Sequence, residues 1–190
     1  MVRYFRYASL KTAANIKIMH MRRRNLMKVE DAFCQIENFW SALKNGHSQM
    51  SFKFEKAKTW EGPFKDWFRE EVPGNRISKE SGVYIFADNE QNILYIGKAA
   101  SENLGAEIYG KFGTATKVDE KGIPHFGNSS MAKWAPDNEP IDYEKLFLEG
   151  NIFISAATIE PKEFASLVEV FLHIWCEING ALPSLNKRIG

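Results

Sequence analysis

Cysteine is scarce in this chain. The two present, Cys34 and Cys176, are far apart and outside any metal-type spacing. That excludes a disulfide-stapled secreted scaffold and a cysteine-based zinc module, and it points to a reducing compartment with free thiols. The expectation is a cytoplasmic protein. No apolar run approaches the roughly 20 residues that a membrane-spanning helix needs. There is no phosphate-cradling glycine loop, no Cys/His zinc pattern, no internal repeat and no heptad run. Acidic residues are missing from residues 1–28, and arginine is missing between Arg76 and Arg188. Both absences bear on what the chain can bind.

What is present fits one globular domain with an appended N-terminal part. The 190 residues suffice for a proper core, and 44% hydrophobic with 26% charged residues is ordinary for such a domain. Net charge is +1, which is not the balance of a dedicated nucleic-acid binder. Its distribution is uneven. Residues 1–28 carry eight basic side chains and no acid, so the rest of the chain stands at −7. A mildly acidic body argues against tight, backbone-driven DNA binding over the whole surface. Residues 1–27 are read as a basic arm, with Arg22, Arg23 and Arg24 as nucleic-acid contacts. Three readings stand open for it: an arm that touches phosphates, an Arg-rich transit peptide, or a stretch upstream of a later start at Met19, Met21 or Met27.

Residues 28–80 are read as an N-terminal helical extension. Lys28–Asn45 has the helical stripe Val29, Ala32, Phe33, Ile36, Phe39, Trp40 and Leu43, with Gly46 as its stop. Residues 51–58 alternate, with Phe52 and Phe54 on one face of a strand. Gly62-Pro63 opens a short helix carrying Phe64, Trp67 and Phe68, aromatics better suited to a core than to base stacking.

Residues 81–190 form the main domain. Val83–Phe86 and Ile93–Ile96 are two short runs of β-branched and aromatic residues across a polar turn, the pattern of a β-hairpin. Leu104, Ile108, Tyr109 and Phe112 then repeat at helical spacing, predicting a helix over Asn103–Phe112. Gly113–Pro140 is irregular, and a loop of that length in a compact domain usually binds something. Lys117 and Lys133 in it are candidate nucleic-acid contacts. Asp142–Leu148 reads as a short helix, Ile152–Ala157 as a strand, and Lys162–Ile178 as a last helix buried through Phe164, Leu167, Val168, Phe171, Leu172 and Trp175. Pro183 keeps the tail extended.

Gly82-Val83-Tyr84 followed by Tyr95-Ile96-Gly97, with a hairpin between and a helix after, resembles the signature of the GIY-YIG nuclease superfamily. Asn151–Ser155 matches the third strand of that family. Ala165-Ser166-Leu167-Val168-Glu169 resembles its helical motif with one residue displaced, and Pro183-Ser184-Leu185-Asn186 supplies its terminal Asn. The resemblance implies an α+β fold, with a three-stranded, mainly antiparallel sheet flanked by helices, and Tyr84 and Tyr95 on one sheet face with Glu169 close by. It implies a metal-dependent endonuclease cutting DNA, with Mg²⁺ or Mn²⁺ held by Glu169. Tyr84 would be the general base and Tyr95 its partner at the scissile phosphate. A phenol with its pKa near 10 needs a cation to act as a base, and Lys98 is placed to help. Asn186 would orient site groups. His173, one helical turn after Glu169, would support it or ligate a softer metal.

The chain departs from the pattern at Glu107, where the family carries an arginine that stabilises the phosphate charge. A carboxylate there repels phosphate, and such a donor is typically worth about 10²–10³ in rate. Three explanations stay open. Catalysis has been lost, or Lys111, one turn on, substitutes, or Glu107 is a second metal ligand. Two functions follow: an endonuclease, in restriction or mobile-element biology, or a degenerate domain that binds nucleic acid or protein without cutting.

Overall fold

The computed structural model describes residues 26–44, 50–59, 77–112, 117–118, 124–125, 151–180 and 182–186. Helix α1 (Val29–Lys44) is followed by strands β1 (Ser51–Thr59), β2 (Gly82–Ala87) and β3 (Ile93–Ala99), helix α2 (Leu104–Phe112), the two-residue strands β4 (Lys117–Val118) and β5 (Pro124–His125), strand β6 (Phe153–Glu160) and helix α3 (Phe164–Asn179). This is an α+β arrangement around an antiparallel sheet ordered β1-β6-β2-β3.

The sheet has four strands where the sequence predicts three. The additional one is β1, which the sequence assigns to the extension. It pairs with β6 along the outer edge, from Ser51 opposite Glu160 to Thr59 opposite Phe153. The extension therefore completes the sheet as well as covering it. The third strand runs to Glu160 and not to Ala157, because that pairing extends it. Within Gly113–Pro140, β4 and β5 pair with each other. The short helices expected after Gly62-Pro63 and over Asp142–Leu148 lie outside the described residues, as do residues 1–25.

Alternation along the strands divides the core. Val83, Ile85, Ile96, Ala157 and Ile159 face α1 and α3, where they form one cluster with Ala32, Ile36, Trp40, Val168, Leu172 and Cys176. Phe52 and Phe54 join it from β1, and Phe54 stacks on Phe33 at 4.3 Å between centroids. The expected α1 stripe is therefore the buried one. Its entry is clipped to the β2–β3 turn, where the Ile93 amide donates to Met27 O at 2.9 Å and the Val29 amide to Gln91 O at 3.1 Å. The opposite sheet face carries Tyr84, Phe86, Tyr95 and Gly97, with α2 over it through the buried Leu104 and Ile108. Both cysteines are free, Cys34 exposed and Cys176 buried. Among the described residues, no helix is long and apolar enough to cross a membrane.

Candidate active site

The β2–β3 register sets Tyr84 opposite Gly97 and Phe86 opposite Tyr95. Opposed residues of an antiparallel pair project to the same side, so Tyr84 and Tyr95 share a face. Their ring centroids are 6.0 Å apart, and Phe86 lies 5.6 Å from each. Gly97 makes this possible, since a Cβ there would run into the Tyr84 ring and hydroxyl. Gly82 has a different reason: its Cβ would strike the Ala157 carbonyl where β6 approaches β2. The two glycines that bracket the hairpin are thus demanded by packing.

The two phenols differ in access. Tyr84 is fully buried, and its hydroxyl has no hydrogen-bond partner among the described residues. The Tyr95 hydroxyl is near enough to influence its ionisation. Burial, chiefly, pushes the Tyr84 phenol far above its ordinary value, and Tyr95, Glu107 and Glu169 add to this in that order. Tyr95 is half-buried, and its phenol is also raised, first by burial; Glu169 and Glu107 add to it while the Tyr84 hydroxyl works against it. Every influence on Tyr84 therefore favours the neutral phenol.

Lys98 lies opposite Val83, on the other face of the sheet from the tyrosines. Its ammonium is 3.0 Å from Glu169 Oε2. This is an ion pair without hydrogen-bond angles, and Oε2 is otherwise buried with no hydrogen-bond partner among the described residues. The cation expected to assist Tyr84 is thus engaged by the expected metal ligand. Glu169 projects from α3 beside the edge strand β3 and is 7% exposed.

One turn further along α3, His173 is buried with Nε2 3.3 Å from Ile96 O. A carbonyl only accepts, so Nε2 carries the proton in that contact. Burial, chiefly, lowers the imidazole below its ordinary value, against the opposing pull of Glu169, and the ring is neutral at physiological pH. The same Ile96 takes Asn186 in a two-point contact. Its amide donates to Asn186 Oδ1 and its carbonyl accepts from Nδ2, both at 2.9 Å. Leu185 N donates to Leu94 O at 2.9 Å. The tail therefore closes the outer edge of β3 much as another strand would.

On α2, the Lys111 ammonium lies 6.0 Å from the centre of the Tyr95 ring, at the outer limit of a cation–π contact. Glu107 Oε1 accepts from Asn103 Nδ2 at 3.2 Å. Its charge reaches both phenols and raises them.

The structure thus brings Tyr84, Tyr95, Glu107 and Lys111 together on the α2 face, and Lys98, Glu169, His173 and Asn186 along the β3 edge. Arg22, Arg23, Arg24 and Lys133 lie outside the described residues, and Lys117 is described only as backbone in β4. Among the described residues, no group of three or more His, Cys, Asp or Glu side chains is disposed to hold a metal. Any metal here would rest on very few protein ligands. Sequence reasoning missed the Lys98–Glu169 pair and the Asn186 clasp. Strand parity carried a signal for the first, since Lys98 is three residues from Tyr95 and so falls on the opposite face. Comparison of the chain with protein-family models, with curated proteins and with solved structures finds no match in any of the three.

Proposed function

We propose that this protein is a metal-dependent endonuclease of the GIY-YIG type, hydrolysing phosphodiester bonds in DNA, in restriction or mobile-element biology. The observation that carries the reading is the Tyr84–Tyr95 pair on one face of β2–β3, 6.0 Å between ring centres, with the Glu169 carboxylate close enough to raise both phenols. Tyr95, the more exposed phenol, contacts the scissile phosphate. Tyr84 remains neutral and acts through its hydroxyl as an orienting donor; acting as a base requires a cation to arrive with substrate.

Glu169 suits Mg²⁺ or Mn²⁺, because a buried carboxylate with one oxygen lacking a hydrogen bond among the described residues matches an ion that keeps most of its waters. Such an ion supplies charge stabilisation to the phosphoryl oxygens. Asn186 and His173 fix the Ile96 peptide, and so hold β3 and Tyr95 in place. Lys111, its ammonium 6.0 Å from the centre of the Tyr95 ring, takes the place of the missing arginine.

The test is incubation of supercoiled plasmid with purified protein and Mg²⁺ or Mn²⁺, comparing wild type with Glu169→Gln. Cleavage by the wild type that the variant loses supports the reading. A second reading, a degenerate domain that binds nucleic acid without cutting, draws on Glu107, a carboxylate beside both phenols where phosphate charge would gather. Retained DNA binding with no cleavage under either metal would favour it.

A further inference from the structure

Glu169 and Lys98 form a pair whose members are unequally committed. The Glu169 side chain is 9% exposed and that of Lys98 is 37% exposed. Burying a carboxylate is costly unless an opposite charge or hydrogen bonds compensate it. Here Oε2 is buried, makes no hydrogen bond to any of the described residues, and has the Lys98 ammonium 3.0 Å away. The lysine supplies charge without directed bonding, from a long, half-exposed side chain that loses little by leaving. The carboxylate needs a cation more than this particular cation needs the carboxylate.

We propose that Lys98 is the resident counter-ion of a divalent-cation site at Glu169, and that a cation binding there displaces its ammonium from Oε2. Two cations cannot share one carboxylate oxygen at contact distance without strong mutual repulsion. Occupancy by a metal therefore sets Lys98 free, at the edge strand that carries Tyr95, to pair with a phosphate. Without metal, Lys98 is held back, and the site presents a neutralised carboxylate and two neutral phenols. The inference rests on the nuclease reading for its purpose, but the exchange itself is a property of Glu169 and Lys98.

The experiment is a titration of the full chain with terbium(III), an oxygen-seeking cation whose emission is sensitised by nearby tyrosines. Wild type is compared with Lys98→Met, Lys98→Arg and Glu169→Gln. Removing the competing charge in Lys98→Met should tighten binding about tenfold or more, given the Coulomb energy of a unit charge beside the ion. Lys98→Arg, which keeps the charge, should stay near wild type, and Glu169→Gln should lose the signal. Equal or weaker binding by Lys98→Met overturns the proposal. So does equal tightening in Met and Arg variants, which would remove charge as the cause, and so does undiminished binding by Glu169→Gln. Plasmid cleavage run in parallel separates the two readings. Tightening without cleavage by any form leaves the exchange standing and the nuclease fallen, whereas cleavage by wild type without tightening does the reverse.

Discussion

Tyr84 lies across Gly97, its ring filling the space that a side chain on the facing strand would take. The relationship gives the two halves of the hairpin signature a shared physical reason. Gly97→Ala forces the ring aside in a core without spare room, and overpacking of this kind costs about 1–3 kcal/mol. Thermal unfolding should show the loss. Truncating the ring should relieve it, so Gly97→Ala in a Tyr84→Ala background should cost measurably less than in wild type, as a double-mutant cycle would show. Tyr84→Phe should leave stability unchanged or slightly raised, because the hydroxyl it removes is buried with no hydrogen-bond partner among the described residues.

Asn186 offers a second test. Its two bonds to Ile96 are side-chain substitutes for strand pairing at the edge of β3. Asn186→Ala removes both and should cost about 1–3 kcal/mol. Hydrogen exchange at the Ile96 amide should accelerate. Asn186→Asp keeps an acceptor for that amide but loses the donor to the Ile96 carbonyl, so the amide should stay more protected than in the alanine variant. Equal protection in all three proteins would show that the tail does not hold the edge.

These features were unequally legible in the sequence. The hairpin, the shared face of Tyr84 and Tyr95, and the α1 stripe follow from local periods of two and of about 3.6, and the structure has them. Membership of β1 in the sheet does not, because its partner β6 lies some hundred residues on, and period-two alternation says that a strand forms without saying what it pairs with. The Asn186–Ile96 contact spans 90 residues and was equally out of reach. The side of the sheet that Lys98 takes was readable from parity alone. What the sequence lacked was Glu169 waiting there from α3.

His173 should make stability depend on pH. Its imidazole titrates below the ordinary 6.5 in the folded protein, chiefly through burial. The unfolded chain therefore binds the proton first as pH falls, and the stabilisation present above about 6.5 is lost below it. The limiting slope for one such group is about 1.4 kcal/mol per pH unit. Chemical denaturation between pH 7.5 and 5 should show the decline. His173→Gln, which retains a donor for Ile96 O and cannot titrate, should flatten the His-dependent part; an unchanged slope would place the titrating group elsewhere.

Glu107 is where the nuclease reading is most exposed. Its carboxylate raises both phenols, so Glu107→Gln should lower the titration of Tyr95, followed by carbon NMR of labelled tyrosine ring carbons. The kinetic consequences divide the explanations. If Glu107 blocks a phosphate-charge site, Glu107→Arg supplies the missing cation, and metal-dependent cleavage should rise by about 10²-fold or more. If Glu107 is a metal ligand beside Glu169, the same change sets a cation against the metal; cleavage should fall, and Glu107→Gln should weaken metal binding as Glu169→Gln does. If Lys111 carries the charge, Lys111→Ala should abolish cleavage while Glu107→Ala is tolerated. The geometry favours this last case. Glu107 is taken up by Asn103 at 3.2 Å, whereas Lys111 reaches over the ring of Tyr95, the more exposed of the two phenols. Full activity in Lys111→Ala would remove Lys111 from the site and leave the charge to Lys98, once it is released from Glu169.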